Sequence, residues 1–393
     1  MTARSDGPPT VVVVEEGMRE GMQIESVDIA LDDKVRLLDA LSGTGLRNIV
    51  VGSFVSPRWV PQMAEVEQLI ERFAPVDGVT YTALVLNARG AERRQAFAPP
   101  ITVPDAVRTQ LHLCDVFVRR NTGRSQADEI AAMPDQIAAA VAAGRTDAII
   151  AVNAAWGSNW LGPFTLEQRL DLIALELDAW HTHGVTPHKL WLGDPMSWCT
   201  PRAVEETVAA VLRRWPAFTQ IHLHLHDGRG LALLSAYQVL RMLGPDRTLV
   251  VDTSIGGMGG CPYCGNGRTT RMIATEDFVH LLEVEGIDTG IDVAKLVEAA
   301  WLAEEVVGHE LYGHVSKAGP LPGRDALYDM DMPLVETFEQ AQHFRRGPSA
   351  YDGCLRPWKQ PITSPARPAV PDEGDPHPVE PWDLGPHEDG GEA

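Results

Sequence analysis

The chain alternates between short apolar runs rich in β-branched residues and longer segments in which apolar residues recur with helical period. Eight runs have the length and composition of buried strands: 10–14, 47–51, 80–86, 110–117, 147–152, 189–192, 220–226 and 248–253. Seven helical segments separate or follow them: 32–41, 64–74, 91–98, 128–143, 165–181, 201–215 and 231–243. This alternation is typical of parallel βα units, and the number of strands predicts a closed (β/α)8 TIM barrel. No Gly-x-Gly-x-x-Gly sequence follows the first strand, which disfavours an open dinucleotide-binding sheet.

The C-terminal part of the chain departs from this alternation. Two extra helical segments, 275–285 and 292–308, complete a predicted catalytic domain of residues 1–318. Residues 319–354 keep scattered apolar side chains and are predicted to dock as an extension. Residues 355–393 are dense in Pro, Asp, Glu and Gly, so they bury too little apolar surface to offset the entropy of ordering. We therefore expect an irregular, acidic, Pro-rich and disordered tail.

Amino-acid composition and net charge exclude several classes of protein. The apolar fraction of 44% suits a globular core, and no apolar run reaches the ~20 residues that span a bilayer. The start of the chain is polar, so we expect a cytoplasmic protein. A net charge of −21 argues against nucleic-acid and anionic-membrane partners, so any anionic ligand needs a local basic patch. Five scattered cysteines do not indicate a disulfide framework.

Three histidines mark the seventh predicted strand. His222, His224 and His226 alternate with leucines, so they share one face of the strand. In a barrel the leucines would face the helices, and His224 and His226 would lie inside the C-terminal mouth, where such barrels keep their active sites. Two imidazoles two residues apart can bind one metal ion, although hydrogen-bonded core histidines are the alternative. We expect the deeper His222 to be structural.

Two further clusters follow the first and the eighth strands. Residues 15–23 are rich in charge, and a carboxylate there would join the two histidines in a site for a divalent ion, although such a run alone is more often a solvated loop. Residues 252–264 form a glycine-rich segment that predicts a mobile lid carrying the thiol of Cys261. Cys261 and Cys264 could form half of a zinc site or a redox pair, but no second ligand pair and no thioredoxin-like pattern supports either interpretation.

Together these clusters indicate a family. The informative stretches are 19–23 (REGMQ), 53–63 (SFVSPRWVPQM), 192–194 (LGD), 224–227 (HLHD), 259–263 (GGCPY) and 274–277 (ATED). Over roughly residues 10–315 the chain resembles the DRE-TIM metallolyases, and most closely the 3-hydroxy-3-methylglutaryl-CoA (HMG-CoA) lyase family. The 53–63 and 259–263 stretches are the most specific, whereas the His-x-His pair is common to the superfamily.

The resemblance implies a ligand set and a set of roles. Glu20, His224 and His226 would bind a divalent metal ion, most simply Mg²⁺ or Mn²⁺. Arg19 would hold the substrate carbonyl or enolate oxygen, and Cys261 would shuttle a proton. Asp194 would line the pocket, and Glu276 is assigned to the catalytic group with it.

The chain departs from the lyase pattern at three positions. Glu20 stands where the lyases have Asp, although the homocitrate synthases of the superfamily have the same Arg-Glu-Gly. Val50 stands where an active-site acid is expected. The metal-binding Asn of the lyases has no exact match, and Asn266 is the nearest candidate for a fourth ligand.

The substrate implied is an acyl-CoA, whose phosphates need cations. Arg119, Arg120 and Arg124 offer a local basic patch, although they are equally compatible with an ordinary solvated loop. A homodimer is expected.

The predicted reaction is cleavage of HMG-CoA, or of a related branched 3-hydroxyacyl-CoA, to acetyl-CoA and a 3-oxo acid. The main alternative is a Claisen-type synthase that joins an acyl-CoA to a 2-oxo acid. Arg-Glu-Gly favours the synthase slightly, whereas the Cys261 loop favours the lyase. A catalytically silent scaffold is disfavoured because the candidate metal ligands, Arg19 and Cys261 are all present.

Overall fold

The computed structural model of the 393-residue chain describes residues 7–264, 271–323 and 327. The chain divides into two compact units, Met1–Pro320 and Leu321–Ala393, and every element named below belongs to the first. The predicted extension lies mostly outside the described residues, and the predicted tail lies entirely outside them. Among the described residues, no helix is long and apolar enough to cross a bilayer.

Eight parallel strands form one curled sheet. They are β1 Thr10–Glu15, β2 Asn48–Ser53, β3 Thr80–Leu84, β4 Val107–His112, β5 Ala148–Asn153, β6 Lys189–Asp194, β7 Gln220–Leu225 and β8 Thr248–Thr253. Their order is β3-β2-β1-β8-β7-β6-β5-β4, so the first and last strands pair with each other inside the sheet. Within the described part of the chain no ladder joins β3 to β4. The prediction of a TIM-barrel fold is confirmed, in the form of a sheet that curls without a complete hydrogen-bonded ring.

Helices flank the sheet. They are α1 Leu31–Ser42, α2 Val66–Arg72, α3 Ala88–Gln95, α4 Asp115–Thr122, α5 Gln126–Ala142, α6 Leu166–His181, α7 Pro201–Arg214, α8 Ala232–Met242, α9 Thr275–Val284, α10 Val293–Val307 and α11 Val315–Ala318. Local chemistry sets several starts. Ser125 and Thr165 begin α5 and α6 with reciprocal capping boxes, and Thr200 caps α7 ahead of a proline in its first turn.

The fourth strand was predicted at the wrong place. The apolar run 110–117 suggested one strand, but β4 ends at His112 and α4, which was not predicted, begins at Asp115. The Sγ of Cys114 accepts a hydrogen bond from the Phe117 N–H (3.3 Å), and Gly123 ends the helix with φ of 75°. A helix cap therefore divides an apolar run that looks continuous in the sequence.

The strand that carries the histidines has two different faces. Ile221, Leu223 and Leu225 are fully buried in the main core. His222 and His224 keep 19% and 12% of their side chains exposed, because they face the open interior of the curled sheet. Alternation along β7 thus places the imidazoles inside the mouth and the leucines against the helices, as predicted.

This assignment of faces predicts a stability difference between two leucines. Leu223→Ala should lower the free energy of unfolding by about 2–5 kcal/mol, because the side chain is fully buried. Leu234→Ala on α8 is the matched control, since that side chain is 52% exposed and should cost about 0.5 kcal/mol or less. Urea unfolding of both variants measures the difference, and equal losses would contradict the assignment.

Candidate active site

Glu20, His224 and His226 come together at the C-terminal mouth of the sheet. One ligand atom from each lies within 4.8 Å of the ligand atoms of the other two. The histidines come from β7 and the residue that follows it, and Glu20 comes from a π-helical turn, Gly17–Gly21, directly after β1. In this turn the Glu16 carbonyl accepts hydrogen bonds from the N–H groups of Arg19 (2.9 Å) and Glu20 (2.7 Å). The turn thereby folds Glu20 back over the barrel mouth.

Asp252 on β8 fixes the orientation of two imidazoles. Its Oδ1 lies 2.6 Å from Nε2 of His222, and its Oδ2 lies 2.8 Å from Nδ1 of His224. Burial alone would raise the pKa of Asp252, but the two imidazoles hold it well below its usual range. Because the charged carboxylate accepts the Nδ1–H of His224, the Nε2 lone pair of His224 is available for a metal ion. The predicted structural role of His222 agrees with this contact.

His226 is the most deeply placed of the three candidate ligands. Its side chain is 1% exposed, and its Nε2 lies 3.6 Å from Oε1 of Glu20. Burial, with the nearby His224 and Arg19, holds the pKa of His226 well below its usual value, so the imidazole is neutral. Its Nδ1 has no hydrogen-bond partner among the described residues. A neutral, buried and incompletely satisfied imidazole beside a carboxylate and a second histidine fits a divalent ion such as Mg²⁺ or Mn²⁺.

Arg19 lies on the open side of this group. Its guanidinium Nη1 donates a hydrogen bond to Glu20 Oε2 and is 3.8 Å from Oε2 of Glu16. The Arg19 side chain retains 21% exposure, more than Glu20 or His226. A fixed cation therefore faces the space beside the three candidate ligands, where it can meet an anionic oxygen.

The glycine-rich segment after β8 packs on the Glu20 turn. A Cβ on Gly21 would meet Met258 at 2.8 Å, and one on Gly259, whose φ is 118°, would meet the Glu20 carbonyl at 2.9 Å. Gln23 donates a hydrogen bond from its side chain to the Gly260 carbonyl (3.0 Å). Glycine is required here because the two backbones touch.

Cys261 and Cys264 interact at the end of this segment. Cys264 is fully buried and donates a hydrogen bond from Sγ to the Pro195 carbonyl (2.8 Å). The neighbouring Cys264 side chain lowers the pKa of the Cys261 thiol, with help from backbone N–H groups and Arg19 and against the opposing effect of burial. Cys261 remains partly exposed, so its thiol is the more accessible and the more acidic of the two. Asn266 lies outside the described residues, and its assignment as a ligand stays a prediction.

Comparison with known proteins identifies the family. Residues 10–302 match the family model described as HMGL-like. The chain belongs to the HMGL-like family. The resemblance inferred from the sequence is thereby confirmed.

Individual relatives of the HMGL-like chain are lyases. It is 33% identical over 312 residues to a hydroxymethylglutaryl-CoA lyase of Bacillus subtilis, covering 77% of this chain and 95% of the relative. It is 32% identical over 313 residues to the mitochondrial lyase of Gallus gallus, covering 79% and 98%.

The chain is also similar to solved structures of HMG-CoA lyases. The crystal structure of the Bacillus subtilis HMG-CoA lyase has a TM-score of 0.65 at 32% identity and covers 79% of this chain and 98% of that one. An HMG-CoA lyase from Acinetobacter baumannii, solved with coenzyme A and 3-methylmalate, has a TM-score of 0.65 at 26% identity and covers 84% and 99%.

Asp194 and Glu276 of the HMGL-like chain are not part of the group of three candidate ligands, although the Asp194 carbonyl accepts a hydrogen bond from the His226 N–H (3.2 Å). Asp194 ends β6 on the face occupied by Leu192, is fully buried and accepts a hydrogen bond from the Cys199 N–H (2.6 Å). Its carboxylate therefore fixes the loop after β6. Glu276 accepts a hydrogen bond from the Gly256 N–H (2.9 Å), and burial raises its pKa to about 8. It supports the turn after β8, and a direct catalytic role for either group stays a prediction.

The three arginines suggested for coenzyme A lie at the end of α4 and just beyond it, and all are exposed. Arg119 pairs with Asp115 (2.6 Å), and Arg120 lies over the ring of Trp160 at 5.3 Å from its centroid. Arg119 is thus partly neutralised, whereas Arg120 and Trp160 form a cationic and aromatic surface.

Asp252 and Glu16 were not assigned roles from the sequence. The alternation of side chains could have indicated both. Asp252 follows Val250 on the interior face of β8, and Glu16, the first residue after β1, follows Val14 on the interior face of β1. Charge at such a position is informative only after the register of β1 against β8 is known.

The Asp252–His224 contact predicts a change in metal affinity. Asp252→Asn should weaken Mn²⁺ binding by about 10- to 100-fold, because an uncharged amide oxygen orients the His224 imidazole less firmly than a carboxylate does. Glu129→Gln is the matched control, since Glu129 holds His112 (2.8 Å) by a similar contact away from the three ligands. Isothermal titration with Mn²⁺ measures both, and an unchanged affinity in Asp252→Asn would contradict this role.

Proposed function

We propose that the protein is a divalent-metal-dependent lyase that cleaves HMG-CoA to acetyl-CoA and acetoacetate. The observation that carries the proposal is the grouping of Glu20, His224 and His226 beside the Arg19 guanidinium at the barrel mouth. Lyase relatives over more than three-quarters of the chain support the same activity. They do not favour the Claisen-type synthase.

The reaction has three chemical requirements. The hydroxyl group on C3 must lose a proton, the bond between C2 and C3 must break, and the resulting thioester enolate must be stabilised and then protonated. A divalent ion held by Glu20, His224 and His226 would supply a Lewis acid for the substrate oxygens.

Arg19 and Cys261 fit the later part of the reaction. Arg19 can donate hydrogen bonds to the enolate oxygen from the open side of the ligand group. The Cys261 thiol, whose pKa is lowered by Cys264, can give its proton to the enolate carbon. The Cys264 contact thus makes Cys261 a better proton donor, and Cys264 itself touches no substrate in this mechanism.

Several finer assignments belong to the same proposal. Mg²⁺ or Mn²⁺ is the expected ion, and a related branched 3-hydroxyacyl-CoA is the second candidate substrate. Arg120 and Trp160 are the side chains best arranged to meet the nucleotide portion of coenzyme A. The cytoplasmic location and the homodimer stay predictions.

Substitution of the loop thiol tests the assignment. Cys261→Ser should lower turnover of HMG-CoA by about 10²- to 10⁴-fold, because a hydroxyl is far less acidic than this thiol. Metal content should stay unchanged. Cys264→Ser is the control: Cys264 touches no substrate in this mechanism, and serine keeps a donor for the Pro195 carbonyl, so turnover should stay within about a few-fold of the unsubstituted protein. Coupled assay of acetoacetate with added Mg²⁺ measures both.

Two results would contradict this mechanism. Release of metal by both substitutions would make the cysteines ligands. Full turnover in Cys261→Ser would remove the thiol from the proton path and return the synthase to consideration.

A further inference from the structure

Among the described residues, three carboxylates reach the interior at the barrel mouth, and two of them already have partners. Glu20 belongs to the candidate metal group, and Asp252 accepts hydrogen bonds from His222 and His224. Glu16 is the third. The roles proposed above for the candidate metal ligands, Arg19 and Cys261 leave Glu16 without an assigned function.

Glu16, the first residue after β1, directs its side chain into the site. The neighbouring Glu15 points the other way, where its fully buried carboxylate accepts hydrogen bonds from Gly17 N–H (2.6 Å) and Ile255 N–H (3.0 Å). Glu16 therefore faces His224 and Asp252, and one ligand atom of each of these three residues lies within 4.8 Å of the others.

The Glu16 carboxylate lies near a cation but lacks a hydrogen-bond partner at one of its oxygens. Its Oε2 has no hydrogen-bond partner among the described residues, and the nearest cation, Nη1 of Arg19, is 3.8 Å away. Its side chain is 13% exposed, so it can be reached from the mouth. Within the described residues Glu16 groups with His224 and Asp252 but not with Glu20 and His226. It thus lies beside the candidate metal group and not within it.

We propose that Glu16 is the base that takes the C3 hydroxyl proton in the cleavage reaction. The inference rests on the proposed function, which needs such a base and assigns none. The other groups are unsuited: Arg19 is a cation, Asp252 is occupied by two imidazoles, and Cys261 must hold a proton to deliver.

The step balances as follows. The O–H bond breaks and its proton passes to the Glu16 carboxylate, while the O–H electron pair forms the new carbonyl at C3. The C2–C3 electron pair moves to C2 and forms the thioester enolate. C2 then takes the Cys261 proton, and the proton on Glu16 returns through solvent to the thiolate, so the enzyme is regenerated without another reactant.

In this mechanism, cleavage of the C2–C3 bond and proton exchange at the thioester enolate depend on different residues. Glu16 handles the hydroxyl proton, which is absent from acetyl-CoA, whereas Arg19 and Cys261 act on the thioester. The protein should therefore exchange the methyl hydrogens of acetyl-CoA with D2O without help from Glu16. Cleavage of HMG-CoA needs both groups.

The experiment compares Glu16→Gln, Glu16→Asp and Cys261→Ser in three assays: HMG-CoA cleavage, deuterium incorporation into acetyl-CoA by mass spectrometry, and Mn²⁺ titration. Glu16→Gln should lower the kcat of cleavage by about 10²- to 10⁴-fold. Its exchange rate and Mn²⁺ affinity should stay within about a few-fold of the unsubstituted protein, whereas Cys261→Ser should lose exchange.

Glu16→Asp and one additional variant test whether the loss of activity is only a loss of fold. Glu16→Asp keeps a carboxylate and should retain more cleavage activity than Glu16→Gln. Glu65→Gln is the control, because Glu65 is half-exposed and pairs with Lys34 (3.1 Å) outside the site. It should leave all three assays unchanged.

Distinct results overturn the proposal. Loss of Mn²⁺ binding in Glu16→Gln would make Glu16 a metal ligand, and parallel loss of exchange would make it a positioning residue for the enolate. Unchanged cleavage in that variant would remove Glu16 from the reaction. Absence of HMG-CoA cleavage by the unsubstituted protein would instead overturn the proposed function.

Discussion

The site depends on one buried contact, the bridge from Asp252 on β8 to His222 and His224 on β7. It joins adjacent strands through their interior side chains and sets the tautomer of His224. Burial of a charged carboxylate has a high desolvation free energy unless the charge is paired, so Asp252 needs both imidazoles. The register between β7 and β8 keeps the three side chains together. Without the bridge, the orientation of a candidate metal ligand would not be defined.

A second buried carboxylate, Glu15, lies on the neighbouring strand β1 and faces away from the mouth. Glu15 connects the turn after β1 to the turn after β8, accepting hydrogen bonds from Gly17, Ile255 and Thr275. Burial raises the pKa of Glu15 to about 7 against the lowering effect of these hydrogen bonds. The two turns that carry Arg19, Glu20 and the Cys261 segment are therefore attached to each other through Glu15 and through close glycine contacts.

Much of this arrangement could be predicted from the sequence. Alternation of histidine and leucine in β7 gave the correct faces, because period-two patterning depends only on the chain. The position of β4 was wrong, because the cap at Cys114 is a hydrogen bond that apolar patterning does not reveal. For Asp194, whose role stays a prediction, the motif did not show which face the carboxylate occupies, because the predicted strand ended at residue 192 and β6 extends to Asp194.

Glu16 illustrates what sequence patterns leave out. Val50 drew attention as a missing acid on β2, where it lies 8% exposed, and no replacement could be named from the motifs. The structure brings Glu16 from a different strand to the same interior because β1 lies between β2 and β8. Such relations between strands depend on the order of strands in the sheet and not on spacing along the chain.

In the proposed mechanism, Glu20, His224 and His226 together hold one divalent ion. Titration of the purified protein with Mn²⁺, followed by electron paramagnetic resonance of the free ion, tests it most directly. We expect one tightly bound ion per chain, and loss of that binding in His226→Ala with the fold retained by circular dichroism. Undiminished stoichiometric binding in His226→Ala would contradict it.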